Sequence, residues 1–96
     1  MNLTLEAIRI LDTIDRKGSF AAAAVALNRV PSALTYSVRK LEEDLDVLLF
    51  DRRGHRAKLT AAGQELLSEG RHLLRAADEL EQRVKRTASG LSLIHI

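Results

Sequence analysis

The chain has no cysteine, one proline and three aromatic residues among 96, and no long apolar run. Without cysteine there is no disulfide framework, no thiolate metal site and no cysteine nucleophile, a composition that a reducing cytoplasm permits. The opening Met1-Asn2-Leu3-Thr4 lacks the basic, apolar and small-residue order of a signal peptide. A span of roughly 20 apolar residues is absent as well, so a soluble cytoplasmic protein with no membrane partner is expected. His55, His72 and His95 form no HxxxH pair, so no metal site is expected. There is no glycine-rich phosphate loop, and no serine with a histidine and an acid spaced to activate it. The expectation is a protein with no catalytic residues and no cofactor.

What is present favours helices. Alanine and leucine are abundant, and a chain that is 46% hydrophobic can bury one modest core but not a second domain. The formal net charge of +2 is small, so the distribution of charge is more informative than its sum. Arg52, Arg53, Arg56 and Lys58 follow one another with no acid between them, just after Glu42, Glu43, Asp44, Asp46 and Asp51. The Glu42-Glu43-Asp44 run reads most simply as solvated, within reach of Arg39 or Lys40.

Thr4 is placed to cap a helix over Leu5 to Lys17, with Ala7, Ile8, Leu11 and Ile14 at helical spacing and Gly18 as its left-handed stop. Ser19 caps a second, alanine-rich helix that ends near Asn28, with Phe20, Ala23, Ala24 and Leu27 on one stripe. After a short turn, Pro31 suits the first position of a third helix running to about Leu45. Leu34, Val38, Leu41 and Leu45 form its inner stripe, leaving Ser32, Thr35, Tyr36, Arg39, Lys40 and Glu43 outward. Val47 to Phe50 and Ala57 to Leu59 read as strands of a hairpin turning at Arg53-Gly54-His55. Thr60 then caps a long helix that continues to about Thr87.

Leu66, Leu73 and Leu80 are seven residues apart along that helix, with Gly63, Gly70, Ala77 and Val84 in the complementary heptad position. Interior glycines each cost about 1 kcal/mol of helix propensity, and close approach of a partner's backbone is the expected compensation. Leu66, Gly70, Leu73, Ala77, Leu80 and Val84 are therefore the candidate dimerisation residues. The closing Leu91-Ser92-Leu93-Ile94-His95-Ile96 reads as the in-frame translation of a sequencing-adapter end, a non-native tail outside the fold. The expected class is mainly α, a winged helix-turn-helix of three helices and a small β-hairpin, followed by a long dimerisation helix. Its parts are residues 1–59 for the winged unit, 60–90 for the long helix and 91–96 for the tail.

Gly18-Ser19-Phe20, Ala23-Ala24, Ser32-Ala33, Leu41-Glu42, Leu49-Phe50, Arg52, Arg56, Leu59-Thr60 and Gly63 occur in one order and spacing. In this the chain resembles the amino-terminal domain of LysR-type transcriptional regulators from Leu3 to about Thr87. The resemblance implies a homodimer, or a tetramer in the full-length protein, bound to double-stranded DNA. It places the third helix in the major groove and the wing on the minor groove or backbone. The candidate contacts are Pro31, Ser32, Ala33, Thr35, Tyr36, Arg39 and Lys40 on the helix, Arg52, Arg53 and Arg56 on the wing, and Ser19 at a helix amino terminus. Such regulators carry a carboxy-terminal domain that senses a small-molecule effector, expected to lie outside this chain. Val30, Pro31 and Tyr36 depart from the family's usual contact surface. Two other readings remain open: a helical protein-interaction module that pairs through the long helix, and a winged-helix regulator of another family, such as the molybdate-responsive type.

Overall fold

Each of the first three helices starts where a side chain or a ring spares the backbone an unsatisfied donor. In the computed structural model, which describes residues 3–54 and 56–94 apart from the side chains of 91–94, α1 spans Leu5–Lys17. Thr4 Oγ1 accepts the Ala7 N–H at 3.0 Å, and Gly18 ends the helix at φ 85°, donating its N–H to the Ile14 carbonyl. Helix α2 is Phe20–Leu27, with the Ser19 hydroxyl accepting from Ala22 N–H at 3.0 Å and Asn28 in the left-handed conformation behind it. Helix α3, Pro31–Leu45, has Pro31 in its first turn and no side-chain cap from Val30, and it stops at a left-handed Asp46.

The core is the inner face of these helices: Ile8, Ile10, Leu11 and Ile14 from α1, Ala23 and Ala24 from α2, and Leu34, Val38 and Leu41 from α3. Alanine at positions 23 and 24 lets α1 and α3 close on α2. Leu45 does not join them. It is 44% exposed because α3 ends there and the chain turns away through Asp46.

The hairpin is smaller than its sequence suggests. Strands β1 (Phe50–Asp51) and β2 (Lys58–Leu59) pair antiparallel, with Phe50 opposite Leu59 and Asp51 opposite Lys58. Val47 and Leu48 stand exposed outside the ladder, because the Val47 N–H turns back to the Glu42 carbonyl and finishes α3. His55, expected in the turn, lies outside the described residues.

Helix α4 runs Ala61–Ile94, past the expected stop at Thr87, since no proline intervenes and Gly90 alone is a weak breaker. At about 1.5 Å per residue it is ~50 Å long. Its first half is a wall of the core. Leu67 and Leu74 are buried, and Leu66 packs beside them. Its two buried glycines face this chain's own elements. A Cβ on Gly63 would collide with the Leu49 carbonyl oxygen, and one on Gly70 would lie 2.8 Å from Ile8 Cγ2. Gly70 therefore admits α1, and the close approach expected across a dimer seam is intramolecular. Across the same joint Arg71 bonds Asp12 and Asp15, both at 2.8 Å, and Arg9 pairs with Asp78 at 3.5 Å.

Two alanine substitutions should move stability in opposite directions. Gly63→Ala, aimed at a fixed backbone oxygen, should cost about 2 kcal/mol in urea denaturation despite alanine's better helix propensity. Gly90→Ala, with nothing within 4 Å of the new methyl, should gain up to about 1 kcal/mol of helix stability.

Candidate nucleic-acid interface

The outward face of α3 carries its polar residues as a single surface. Ser32, Thr35, Tyr36, Arg39, Lys40 and Glu43 line one shallow groove. Tyr36 is 67% exposed. Pro31 is exposed at the helix start, Ala33 is half-buried, and the Thr35 hydroxyl donates back to the Pro31 carbonyl at 3.2 Å. Val30 supplies no side-chain acceptor to the first turn of α3, where the Ala33 N–H donates instead to the Val30 carbonyl at 3.1 Å.

The second cluster lies where α2 begins. Ser19, Phe20, Arg52, Gly54, Arg56 and Ala57 surround one depression. The Arg56 guanidinium lies directly over Gly18, where a Cβ would stand 2.7 Å from Nη2, so the absent side chain makes its resting place. The Ala57 N–H donates to the Gly18 carbonyl at 3.1 Å and pins the returning strand beside Ser19. A guanidinium, a hydroxyl and a helix amino terminus thus share one small surface, a combination that suits an oxyanion.

The three wing arginines have different neighbours. Arg53, 91% exposed at its side chain, is held by Asp51 through Nε at 3.0 Å and Nη2 at 2.8 Å. The Arg53 side chain, then its backbone N–H, draw the Asp51 carboxyl down to about 2. Arg52 turns inward. Its Nη2 is 3.4 Å from Glu42 Oε1, and its guanidinium carbon is 4.9 Å from the centre of the Phe20 ring. Phe20 in turn meets Phe50 edge to face at 5.6 Å.

Glu42 is the residue whose role its charge disguised. Only 7% exposed, it is neither solvated nor paired with Arg39 or Lys40. Its Oε2 accepts the Leu49 N–H at 2.7 Å and the Phe50 N–H at 3.4 Å, satisfying two buried donors at the entrance to β1. Its position four residues after Val38, on the inner stripe of α3, was the available signal. Arg39 and Arg52 line one groove with Glu42, Glu43, Asp46, Val47 and Leu48, so the outer face of α3 and the base of the wing are contiguous.

On α4, Leu73, Leu80 and Val84 are 50%, 57% and 58% exposed, Ala77 is half-buried, and Leu66 and Gly70 belong to the intramolecular joint. Among the described residues no group of three potential ligands could hold a metal ion, and no helix is long and apolar enough to cross a membrane.

The sequence model for "Bacterial regulatory helix-turn-helix protein, lysR family" matches residues 5–64. Over 88 residues the chain is 61% identical to the HTH-type transcriptional regulator YhaJ of Escherichia coli O157:H7, covering 92% of the chain and 30% of that protein. Over 83 residues it is 46% identical to the HTH-type transcriptional regulator PunR of Escherichia coli K12, covering 86% and 27% respectively. The chain thus spans about 30% of the length of the curated relatives it matches. Its fold is similar to that of the BenM DNA-binding domain crystallised with benA site 1 DNA, at TM-score 0.87 and 28% identity over 92% of this chain and 99% of that one. The corresponding CbnR domain, crystallised with DNA, matches at TM-score 0.82 and 29% identity over 90% and 99%.

The Asp51–Arg53 pair has a pH signature. Because the folded value of about 2 lies below the ordinary 3.8, the contribution of Asp51 is complete above about 4 and is lost as pH falls through 2. The carboxyl carbon of Asp51 should titrate near 2 by NMR, and in Arg53→Ala it should return towards 3.8. A wild-type midpoint near 3.8 would mean that the pair does not form in solution.

Proposed function

The chain belongs to the LysR family of bacterial regulatory helix-turn-helix proteins, and from that premise we propose that it reads specific sequences in double-stranded DNA as a homodimer. The observation that carries this reading is the outward polar face of α3, where Ser32, Thr35, Tyr36, Arg39 and Lys40 line one groove, continuous with the base of the wing. An exposed polar helix face continuous with a basic hairpin matches the shape of a major groove and its bordering backbone. Helix α3 enters the groove. Arg39 is suited to a bidentate contact with guanine, Tyr36 to a thymine methyl or a phosphate, and Ser32 and Thr35 to base edges, with Pro31 and Ala33 giving close approach and Lys40 reaching the backbone. Ser19 and the first turn of α2 take a phosphate together with Arg56, whose side chain also reaches towards the minor groove. Arg53 contributes only when it leaves Asp51.

Pairing is assigned to the outer half of α4. Leu73, Ala77, Leu80 and Val84 form a narrow apolar stripe beside and beyond the intramolecular contact, the shape of a two-helix seam. Residues 1–59 form the reading head and 60–90 the pairing helix, whose first half also completes the head's core. Sensing of a small-molecule effector and assembly beyond the dimer belong to parts of a regulator outside this chain, acting in the cytoplasm.

Selection from a pool of random duplexes at low and moderate salt tests the reading directly. Enrichment should yield a two-fold symmetric motif with half-sites one or two helical turns apart. With about 6 to 10 phosphates neutralised per dimer, affinity should fall about 10³ to 10⁵-fold between roughly 50 and 200 mM salt, and a flat response would refute DNA reading. Leu73→Asp should abolish the dimer in sedimentation while leaving the thermal melt of the head intact. If no duplex is retained by folded dimer, the protein-interaction reading replaces this one.

A further inference from the structure

We propose that Arg52 serves DNA binding as a positioning residue, acting through Glu42 to fix the wing against α3, and is not itself a phosphate ligand. The inference rests on the DNA-reading function above and assigns a role within it. Arg52 looks like one of three equivalent wing cations in the sequence, but its surroundings are distinct. Its side chain is 35% exposed, against 91% for Arg53. One edge of its guanidinium faces the Glu42 carboxylate, and its plane lies over Phe20. One edge and the face of the guanidinium are already engaged, and pulling it away to a phosphate would leave a buried carboxylate without its cation, which strongly disfavours the move. Among the described residues Arg56 has no such ion pair, resting on a bare glycine.

What the pair holds is the joint between the two DNA-facing elements. Helix α3 ends at Leu45 and β1 begins at Phe50. Between them, the Val47 N–H bonds the Glu42 carbonyl, while the Leu49 and Phe50 N–H groups bond the Glu42 side chain. Glu42 therefore joins the end of the recognition helix to the start of the wing through three backbone N–H groups. Arg52 keeps that carboxylate in place from the far side, and Phe20 carries the same restraint to the start of α2, beside Ser19 and Arg56. The wing keeps an independent attachment to α4, since the Thr60 N–H donates to the Leu49 carbonyl at 3.0 Å. Loosening the pair should therefore misplace the wing without unfolding it.

The test compares salt dependence and affinity for a mixed-sequence duplex of about 30 base pairs, with every variant's folding checked by thermal melt. Arg52→Lys keeps the charge that a phosphate ligand needs but loses the planar fork and the stacking that positioning needs. Arg52→Lys and Glu42→Gln should each weaken binding by about tenfold, and the double variant by no more than the worse single one. Arg52→Met should keep the wild-type salt slope, whereas Arg56→Ala should lower it by about 0.9, the signature of one lost phosphate. The proposal is overturned if Arg52→Lys binds within about twofold of wild type, or if Arg52→Met loses the same increment of slope as Arg56→Ala. Arg52→Lys decides the matter even if Glu42→Gln does not fold. Failure of the wild-type chain to bind the duplex would instead overturn DNA reading itself.

Discussion

The architecture depends on one close approach, that of the first turns of α4 to the backbone that leads into the wing. The Leu49 carbonyl accepts the Thr60 N–H and occupies the space where Gly63 would carry a side chain. Thr60 donates its hydroxyl hydrogen to the Leu48 carbonyl and accepts the Gly63 N–H, so the cap of α4 is also the clasp of the hairpin. With α4 seated there, Leu67 and Leu74 complete the core over α1, and a hairpin of two residues per strand is held without a larger sheet. So short a ladder would not persist alone. It persists because each end is bonded to a helix.

Charge on the DNA-facing side is divided by the same economy of contacts. Arg52 and Arg53 already have carboxylates, whereas among the described residues Arg39, Lys40 and Arg56 have no ion pair. The nominal cluster of wing cations therefore offers fewer free charges than its sequence implies, and α3 supplies much of the balance. A net charge of +2 hides this, since several acids, such as Asp12 and Asp15 with Arg71, are engaged in joints between helices. Exposed pairs of that kind are worth little in stability, and their use lies in orientation.

The helices were legible because their ends are marked by chemistry. Thr4, Ser19 and Pro31 open α1, α2 and α3, and Gly18 and Asn28 close two of them, so the boundaries follow from single residues. The wing was harder to read: Val47 and Leu48 look like strand in composition, and only the return of the Val47 N–H to Glu42 takes them out of the ladder. The glycines of α4 misled for another reason. A spacing of seven describes a seam without saying whose surface lies across it. Leu67 and Leu74 form a second row of the same period that stops at Glu81, and this row marks where the intramolecular contact gives out. Glu42 was read by its charge when its register on α3 was the better guide.

The α1–α4 joint has a consequence for how the chain is made. Ile8 meets Gly70, and Asp12 meets Arg71 across 59 residues of sequence, whereas α1, α2 and α3 find one another locally. A ribosome adding about 5 to 20 residues per second delivers α4 roughly 3 to 12 seconds after α1. Through that interval the Ile8 face has no lid. The nascent head must wait with the inner face of α1 half covered, and its tendency to aggregate is set by the pace of translation as much as by the stability of the finished fold.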